Sequence, residues 1–264
     1  MKSNYPERIV CLTEETTETL YLLGEEDRIV GISGFTVRPS RARKEKPKVS
    51  AFTSAKIDRI IALEPDLVLG FSDLQADIAA ELIRHGLTVL VFNHRSVQEI
   101  LSMIRTLGAM VGAAKRADEL VGEYENNIDR SLVRAAELPR RPKVYFEEWD
   151  DPQISGIRWV SELIGIAGGD DVFPELAVCP DGKSRIIADP EEVIRRVPDI
   201  IIGSWCGKKF RPEKVAARQG WDAIPAVRNG DIYEIKSAQI LQPGPAALTD
   251  GLNQLQKIFA DWAV

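Results

Sequence analysis

Short apolar runs alternate with longer stretches whose apolar residues recur at helical spacing. In the first part of the chain the runs predict strands over Arg8–Thr13, Arg28–Ser33, Leu67–Phe71 and Thr88–Phe92. Helical spacing predicts helices over Glu14–Leu23, Asp58–Leu63, Asp73–His85 and Val97–Val111. Gly24 and Gly86 stand where the helices before them should stop. This alternation predicts α/β architecture.

A stretch without proline follows, from Ala113 to Leu138, and its apolar residues also recur at helical spacing. It predicts one helix of about 25 residues, on the order of 37 Å long at 1.5 Å per residue. The helix must end before Pro139. We therefore expect an N-terminal α/β lobe over 1–111, a linking helix over 112–138 and a C-terminal α/β lobe over 139–264.

The last part of the chain repeats the alternation. Strands are predicted over Lys143–Trp149, Ile200–Ser204 and Ile232–Ile235, and helices over Trp159–Ala167, Pro190–Arg196, Pro212–Gln219 and Ala247–Trp262. The segment Tyr145–Gly169 carries two tryptophans among acids, a proline and Ser155-Gly156. We interpret Trp149 as lying on a loop, where a tryptophan suits a ligand pocket better than a core.

The two lobes share a sequence pattern. The segment "IDRIIALEPDLVLGF" at 57–71 matches "PEEVIRRVPDIIIGS" at 190–204. In both, a short helix reaches Pro-Asp, three aliphatic residues follow, and a glycine ends the run. The match indicates two similar lobes, although a generic parallel α/β repeat would also produce it.

Composition excludes several classes of function. The formal net charge of the 264 residues is −6, and the basic cluster Arg38–Lys48 lacks interleaved aromatic residues, so nucleic-acid binding is not expected. With only His85 and His94, a histidine-rich metal site is excluded, and both are interpreted as surface or helix-end residues. Cys11 is expected to be a buried filler, whereas Cys206 follows a strand and could face a cleft.

No enzyme motif stands out. The chain has no G-x-S-x-G, no Walker loop and no G-x-G-x-x-G after a strand, so we expect no catalytic residues. The start "MKSNYPERIVCL" lacks a long apolar segment, and there is no transmembrane run. Two interpretations stay open: a cytoplasmic protein, or a mature exported form that was given a start Met.

Six segments together resemble one known family. They are "RIVCLTEETTETLYLLG", "DRIVGIS", "KVSAFTSAKIDRIIALEPDLVLGF", "SGIRWVSELIGIAGGDDVF", "ADPEEVIRRVPDIIIGS" and "GWDAIPAVRNGDIYEI". In this order they resemble class III periplasmic substrate-binding proteins of ABC importers, of the cobalamin- and siderophore-binding kind. The resemblance implies two Rossmann-like α/β lobes joined by a single long helix. It also implies a ligand held between the lobes.

The resemblance implies aromatic ligand contacts on the first lobe. Phe35 after "GISG", Phe52 in "KVSAF" and Phe71 after "DLVLG" take pocket positions, although Phe71 could instead pack in the core. The opening is unusually acidic at Glu14 and Glu15. These acids either face the pocket or lie at a helix start, where the helix dipole stabilises them without a ligand.

On the second lobe the resemblance makes the segment of Trp149 and Ser155-Gly156 ligand-facing. Trp159 is a wall beside it or the first residue of a helix, and Trp205 is a pocket or a core residue. Arg185 stands where the cobalamin binder carries a pocket tryptophan. This departure favours a ligand with a carboxylate or phosphate.

The resemblance also implies a partner and a cargo. Asp58 and Glu191 occupy matching places in the repeat and would dock onto arginines of a membrane permease, unless they only cap their helices. The leading hypothesis is a monomeric periplasmic or cell-surface binding protein. It would deliver a large, flat cobalamin-like corrinoid or metal chelate to an ABC importer, with no cofactor of its own. A cytoplasmic ligand binder or sensor on the same fold is the second hypothesis, and an enzyme is the third.

Overall fold

A computed structural model describes residues 4–264. The chain divides into two compact units. One comprises the chain up to His94 together with Gln98–Glu123, and the other comprises Arg95–Val97 and Tyr124–Val264. A continuous helix, Ala114–Ala136, begins in the first unit and ends in the second. Its 23 residues correspond to the long helix expected from the proline-free stretch.

The first unit is a parallel sheet with helices. Its strands are β1 Ile9–Cys11, β2 Ile29–Ser33, β3 Lys48–Ser50, β4 Leu67–Phe71 and β5 Val89–Phe92, in the order β3-β2-β1-β4-β5. Its helices are α1 Glu14–Leu23, α2 Ala42–Glu45, α3 Ile57–Ala62, α4 Ala76–Arg84 and α5 Val97–Met110, followed by α6 Ala114–Ala136. The central strands β1 and β4 are almost fully buried, which explains their uninterrupted aliphatic sequence.

The second unit is built around the long strand β6. The strands are β6 Lys143–Asp150, β7 Gln153–Ser155, β8 Asp170–Asp171, β9 Ile200–Gly203 and β10 Ile232–Glu234. The order is β10-β9-β6-β7, with β8 parallel to the start of β6 and β7 antiparallel to its end. The helices are α7 Arg158–Ala167, α8 Pro174–Ala177, α9 Glu191–Arg196, α10 Pro212–Ala216, α11 Pro225–Asn229, α12 Ser237–Ile240 and α13 Leu252–Ala263.

The sequence repeat has one structural role in both units. Asp66 accepts hydrogen bonds from the backbone N–H of Glu7 (2.7 Å) and Arg8 (3.0 Å), just before β1. Asp199 accepts one from the N–H of Lys143 (2.9 Å), at the start of β6. Each Pro-Asp pair therefore ties the start of its strand to that of the neighbouring central strand.

The backbone before each Pro-Asp is also alike. Glu64 and Val197, at matching positions of the repeat, both have a φ of 45°. Positive φ is uncommon outside glycine, and least common for a β-branched residue such as Val197. The same tight turn thus leads from α3 to β4 and from α9 to β9.

The glycine that ends the repeat matters most in the second unit. A Cβ built on Gly203 would lie 1.8 Å from Cε2 of Phe210, far inside van der Waals contact. Phe210 is buried and packs against Trp205 with ring centroids 4.8 Å apart. Gly203 therefore lets this aromatic pair close over the end of β9.

Three of the expected elements differ from the structure. Trp149 lies on β6, within the predicted strand Lys143–Trp149 and not on a loop, so the loop interpretation was wrong; the strand extends one residue further, to Asp150, and turns back into β7. The helix expected over Asp73–His85 begins as a 3-10 turn at Asp73–Gln75. The C-terminal helix begins with a π turn at Ala247–Gly251. In residues 4–264 no helix combines the length and apolar character needed to cross a membrane.

Candidate functional site

The topology of the first unit brings several loops to one edge of its sheet. All strands are parallel, so the residues that follow them meet at the carboxyl edge. The chain leaves β1 for β2 on one side and later returns to β4 on the other side of β1. Ligands of open parallel sheets bind in the crevice at such a switch point. The segments after β1 and β4 therefore form a candidate site.

Of the three phenylalanines of the first lobe, Phe35 and Phe52 follow β2 and β3, and Phe71 is the last residue of β4. Phe35 is 47% exposed and Phe52 is partly exposed, so both present apolar surface. Phe71 is only 6% exposed, with its ring 5.1 Å from that of His94. In this structure a ligand has access to the first two rings but to little of the third.

Gln75 ties two of these aromatic segments together. Its side-chain nitrogen donates to the carbonyl of Phe52 (2.9 Å), and its side-chain oxygen accepts from the N–H of Phe71 (3.0 Å). Gln75 is fully buried. Sequence reasoning missed it, because a glutamine at the start of a helix carries no signal of a contact 23 residues away.

Acidic side chains are buried at the start of α1, directly after β1. Glu14, Glu15 and Glu18 are 8%, 1% and 7% exposed. Oε1 of Glu15 accepts a hydrogen bond from the hydroxyl of Thr13, whereas Oε2 has no hydrogen-bond partner among the described residues. Glu18 forms an ion pair with Arg38 (2.7 Å). The helix start thus holds three carboxyl groups, and the acidic opening is more than a solvated capping sequence.

Burial controls the ionisation of this cluster. Desolvation, together with repulsion from Glu15 and Glu18, raises the pKa of Glu14 to about 8, against the weaker opposing effect of Arg43. Desolvation raises the pKa of Glu15 to about 7, although its hydrogen bond from Thr13 favours the charged form. Near neutral pH Glu14 is therefore mostly protonated and Glu15 partly so, and each can then donate its proton to a hydrogen-bond acceptor.

The second histidine also lies at this edge. His94 follows β5, is 6% exposed, and contacts both Phe71 and Phe92. The interpretation of His94 as a surface residue was therefore wrong. His85 does cap the end of α4.

In the second unit, the carboxyl ends of β6 and β9 carry Trp149 and Trp205. Trp149 is partly exposed, and its ring nitrogen donates to the carbonyl of Asp151 (2.9 Å). The ammonium of Lys208 lies 5.3 Å from the ring of Trp149 and 5.1 Å from that of Trp205. It also pairs with Asp150 (2.6 Å). Lys208 thus joins the two tryptophans into one cation–aromatic cluster.

Trp205 itself is held by a buried ionic network. It is 4% exposed, and its ring nitrogen donates to Oε1 of Glu147 (3.1 Å). Glu147 is fully buried, pairs with Arg218 (2.5 and 2.9 Å) and accepts from the hydroxyl of Tyr145 (2.9 Å). Every oxygen of this buried carboxylate is hydrogen-bonded, as its burial requires. The network therefore fixes the position of Trp205 within the cation–aromatic cluster.

Trp159 and Arg185 are covered by other parts of the second unit. Trp159 is 3% exposed and donates to the carbonyl of Ile240 (2.9 Å). Arg185 is 2% exposed and forms two hydrogen bonds with Glu148 (2.6 and 3.0 Å) and one with the carbonyl of Ser155. The expectation of a free cation for an anionic ligand is not met, because Glu148 already compensates the charge of Arg185.

The two acids expected to dock a partner are both at the surface. Asp58 is exposed in the first turn of α3. Glu191 is the first residue of α9, and its side chain is 78% exposed beside Arg195 (3.7 Å). Both side chains are thus accessible to another protein.

The chemistry of these edges is that of binding. Among residues 4–264, no group of three or more His, Cys, Asp or Glu side chains is arranged to hold a metal ion. Cys11 is buried in β1, as expected, and Cys206 is exposed beside Trp205. Aromatic faces, buried carboxyl groups and one lysine can hold a ligand through apolar contact and hydrogen bonds.

Comparison with known proteins agrees with this picture. The chain is 26% identical over 266 residues to the ABC transporter substrate-binding lipoprotein YvrC of Bacillus subtilis, covering 97% of this chain and 81% of that protein. It is 24% identical over 245 residues to a vitamin B12-binding protein of Vibrio parahaemolyticus, covering 92% of this chain and 86% of that protein. These relatives are binding proteins, which is consistent with a protein that is not an enzyme.

Solved structures share the fold. The periplasmic heme-binding protein RhuT from Roseiflexus superposes with a TM-score of 0.84 at 23% identity, covering 98% of this chain and 99% of that chain. The periplasmic vitamin B12-binding protein BtuF of Vibrio cholerae superposes with a TM-score of 0.77 at 20% identity, covering 97% and 98%. The family model for periplasmic binding proteins matches residues 9–239. The resemblance seen in the sequence is thus confirmed: this chain belongs to the periplasmic binding protein family, with two α/β lobes joined by one long helix.

Proposed function

We propose that this chain captures a corrinoid or a related metal chelate and delivers it to the permease of an ABC importer. The observation that carries the proposal is the position of Phe35, Phe52 and Trp149. Each is an at least partly exposed aromatic side chain at or just beyond the carboxyl end of a strand. Such surfaces suit a large, flat, partly apolar ligand. The names of the relatives in Vibrio support the same class of cargo.

The other four aromatic or cationic positions then have a supporting role. Phe71, Trp159, Arg185 and Trp205 are each at most 6% exposed. We propose that their contacts keep in place the chain segments that carry the more exposed aromatic rings. Arg185, for example, binds the carbonyl of Ser155 and fixes the turn between β7 and α7.

The buried acids favour one kind of chelate over another. A corrin ring carries amide side chains, which donate and accept hydrogen bonds, whereas heme carries two propionates. When protonated, Glu14 and Glu15 can donate to an amide carbonyl and accept from an amide N–H, and when ionised they would repel a propionate. We therefore propose that a neutral, amide-bearing corrinoid binds better than heme.

Delivery requires a partner, for which Asp58 and Glu191 are proposed. They lie at the start of α3 and α9, on different units and at equivalent positions of the repeat. One carboxylate on each lobe fixes the orientation of docking as a single one could not. We propose that this partner is a membrane permease and that the protein works on the outer side of that membrane. We also propose that it works as a monomer.

Equilibrium titration followed by tryptophan fluorescence tests the proposal. Cyanocobalamin, hemin and a ferric siderophore are each added to the wild type, to Trp149→Ala and to Trp262→Ala. Trp262 on α13 is the matched control, because its ring packs against the guanidinium of Arg140 (3.9 Å), which precedes the amino end of β6, whereas Trp149 is near the carboxyl end of that strand. We expect cyanocobalamin to bind most tightly and only Trp149→Ala to weaken it. No response to any of the three would refute the proposed cargo class, and tighter binding of hemin would refute the preference for corrinoids.

A further inference from the structure

A groove in the second unit collects positive charge away from the sheet edges. It has a volume of about 540 Å³ and lies between the end of α6 and α13. Apart from Ala260 it is lined by three cationic and three amide side chains: Asn127, Arg130, Arg134, Asn253, Gln256 and Lys257. The lining has no acid, although the whole chain has a formal net charge of −6.

The amides connect the two walls of the groove. Asn127 donates to the carbonyl of Leu248 (3.1 Å), just before α13. Gln256 on α13 donates to the carbonyl of Ser131 on α6 (3.4 Å). The cations of the two helices are therefore held at a fixed separation.

The spacing of Arg130 and Arg134 destabilises the helix that carries them. Arg130 and Arg134 are four residues apart on α6, a spacing at which like charges destabilise a helix. The helix dipole favours a cation only in the last turn, which includes Arg134 but not Arg130. In residues 4–264 neither arginine forms an ion pair with a carboxylate. Lys257 adds a third cation and pairs with Asp261 (2.6 Å) outside the lining.

We propose that this groove is an anion site that binds a phosphate group. Guanidinium groups match the oxygens of phosphate with directed hydrogen bonds, and a lysine adds a point charge. A phosphate oxyanion would relieve the repulsion among the three cations. The site is separate from the proposed cargo contacts, because all of its residues lie on α6 and α13 and none lies on the strand ends or loops that carry Trp149 and Phe52.

The phosphate can come from two sources, free phosphate or a lipid headgroup. Val133 lies between the arginines in sequence and is 62% exposed, so apolar surface adjoins the cations. Arg130→Gln/Arg134→Gln removes two charges of the groove. Lys115→Gln/Arg116→Gln is the control, because it removes two exposed charges from the other end of the same helix.

Two measurements separate the sources. The first is the melting temperature of the full chain with and without inorganic phosphate, at constant ionic strength. The second is co-sedimentation with phosphatidylglycerol vesicles, compared with phosphatidylcholine vesicles, at low salt. We expect the groove variant to lose phosphate stabilisation, or to bind phosphatidylglycerol vesicles about 30-fold more weakly, which is about 2 kcal/mol at 1.4 kcal/mol per tenfold. The control should keep both.

If only the stabilisation by inorganic phosphate depends on the groove, free phosphate is the ligand. If only the binding to phosphatidylglycerol vesicles depends on the groove, the ligand is a lipid headgroup. If neither probe binds the wild type, or if both double variants lose binding equally, the groove is not an anion site. Cyanocobalamin titration of the groove variant should be unchanged. If the groove variant lost the cyanocobalamin binding of the wild type, a folding defect would be the cause, and circular dichroism would detect it.

Discussion

Replacing Glu15 by glutamine should make the protein more stable at alkaline pH and nearly unchanged at acidic pH. Glu15 is 1% exposed in the first turn of α1, with Oε2 unpartnered among the described residues. The helix dipole favours a charge there by about 0.3–1 kcal/mol. Desolvation is the larger effect, because it raises the pKa of Glu15 from 4.5 to about 7.

The sign and size of the change in the free energy of unfolding follow from proton linkage. Between pH 4.5 and about 7 the folded protein holds a proton that the unfolded chain has released, so the free energy of unfolding falls as pH rises. At 1.36 kcal/mol per pKa unit, the raised pKa of Glu15 lowers the free energy of unfolding by about 3 kcal/mol at pH 8 and by about 1 kcal/mol at pH 5. Glutamine keeps the shape and cannot ionise, so Glu15→Gln removes this cost.

Urea unfolding at pH 5 and pH 8, followed by circular dichroism, measures both values. We expect Glu15→Gln to raise the free energy of unfolding by about 2–3 kcal/mol at pH 8 and by less than about 1 kcal/mol at pH 5. Glu18→Gln is the matched control on the same helix. It removes the ion pair with Arg38 and should destabilise the protein at pH 8.

A gain of Glu15→Gln that is equal at both pH values would refute the linkage argument, because a packing effect does not depend on protonation. A loss of stability at pH 8 would show that the Glu15 carboxylate is stabilised by a partner.

Three further predictions address the proposed function. Phe52→Ala and Trp149→Ala should weaken cyanocobalamin binding at least tenfold by fluorescence with an almost unchanged melting temperature; a lowered melting temperature with intact affinity would place them in the core. Trp159→Ala should cost about 3–5 kcal/mol in urea unfolding, because its ring is buried, and a neutral effect would contradict that burial. Asp58→Ala/Glu191→Ala should keep cobalamin affinity yet slow association with the permease in nanodiscs at low salt, and equally fast association would argue against docking by these acids.

Local sequence determined most of the secondary structure. β4 has the predicted bounds Leu67–Phe71, because a buried parallel strand is an unbroken aliphatic run. The long helix α6 followed from 3.6-residue spacing without proline. The repeat ending in Pro-Asp was visible because the same turn and the same aspartate hydrogen bond are used twice.

Two short strands were not predicted from the sequence. The strands β3 (KVS) and β7 (QIS) have three residues each, and each contains a single aliphatic residue, which forms no apolar run. The strand predicted over Lys143–Trp149 is confirmed, whereas the loop interpretation of Trp149, suggested by the acids and proline after it, was wrong because pairing with β7 continues β6 through Asp150. Strand pairing depends on the partner strand, which the pattern of one segment does not contain.

Tertiary structure alone decided which candidate residues are exposed. Trp159 is covered near Ile240, 81 residues away, and Trp205 is held by Glu147, 58 residues away. Arg185 looked like a free cation until folding placed Glu148 against it. Hydrophobic periodicity reports which face of an element turns inward, because it reflects local geometry. Burial and charge compensation are sums over atoms brought together from distant parts of the chain, so only the folded structure fixes them.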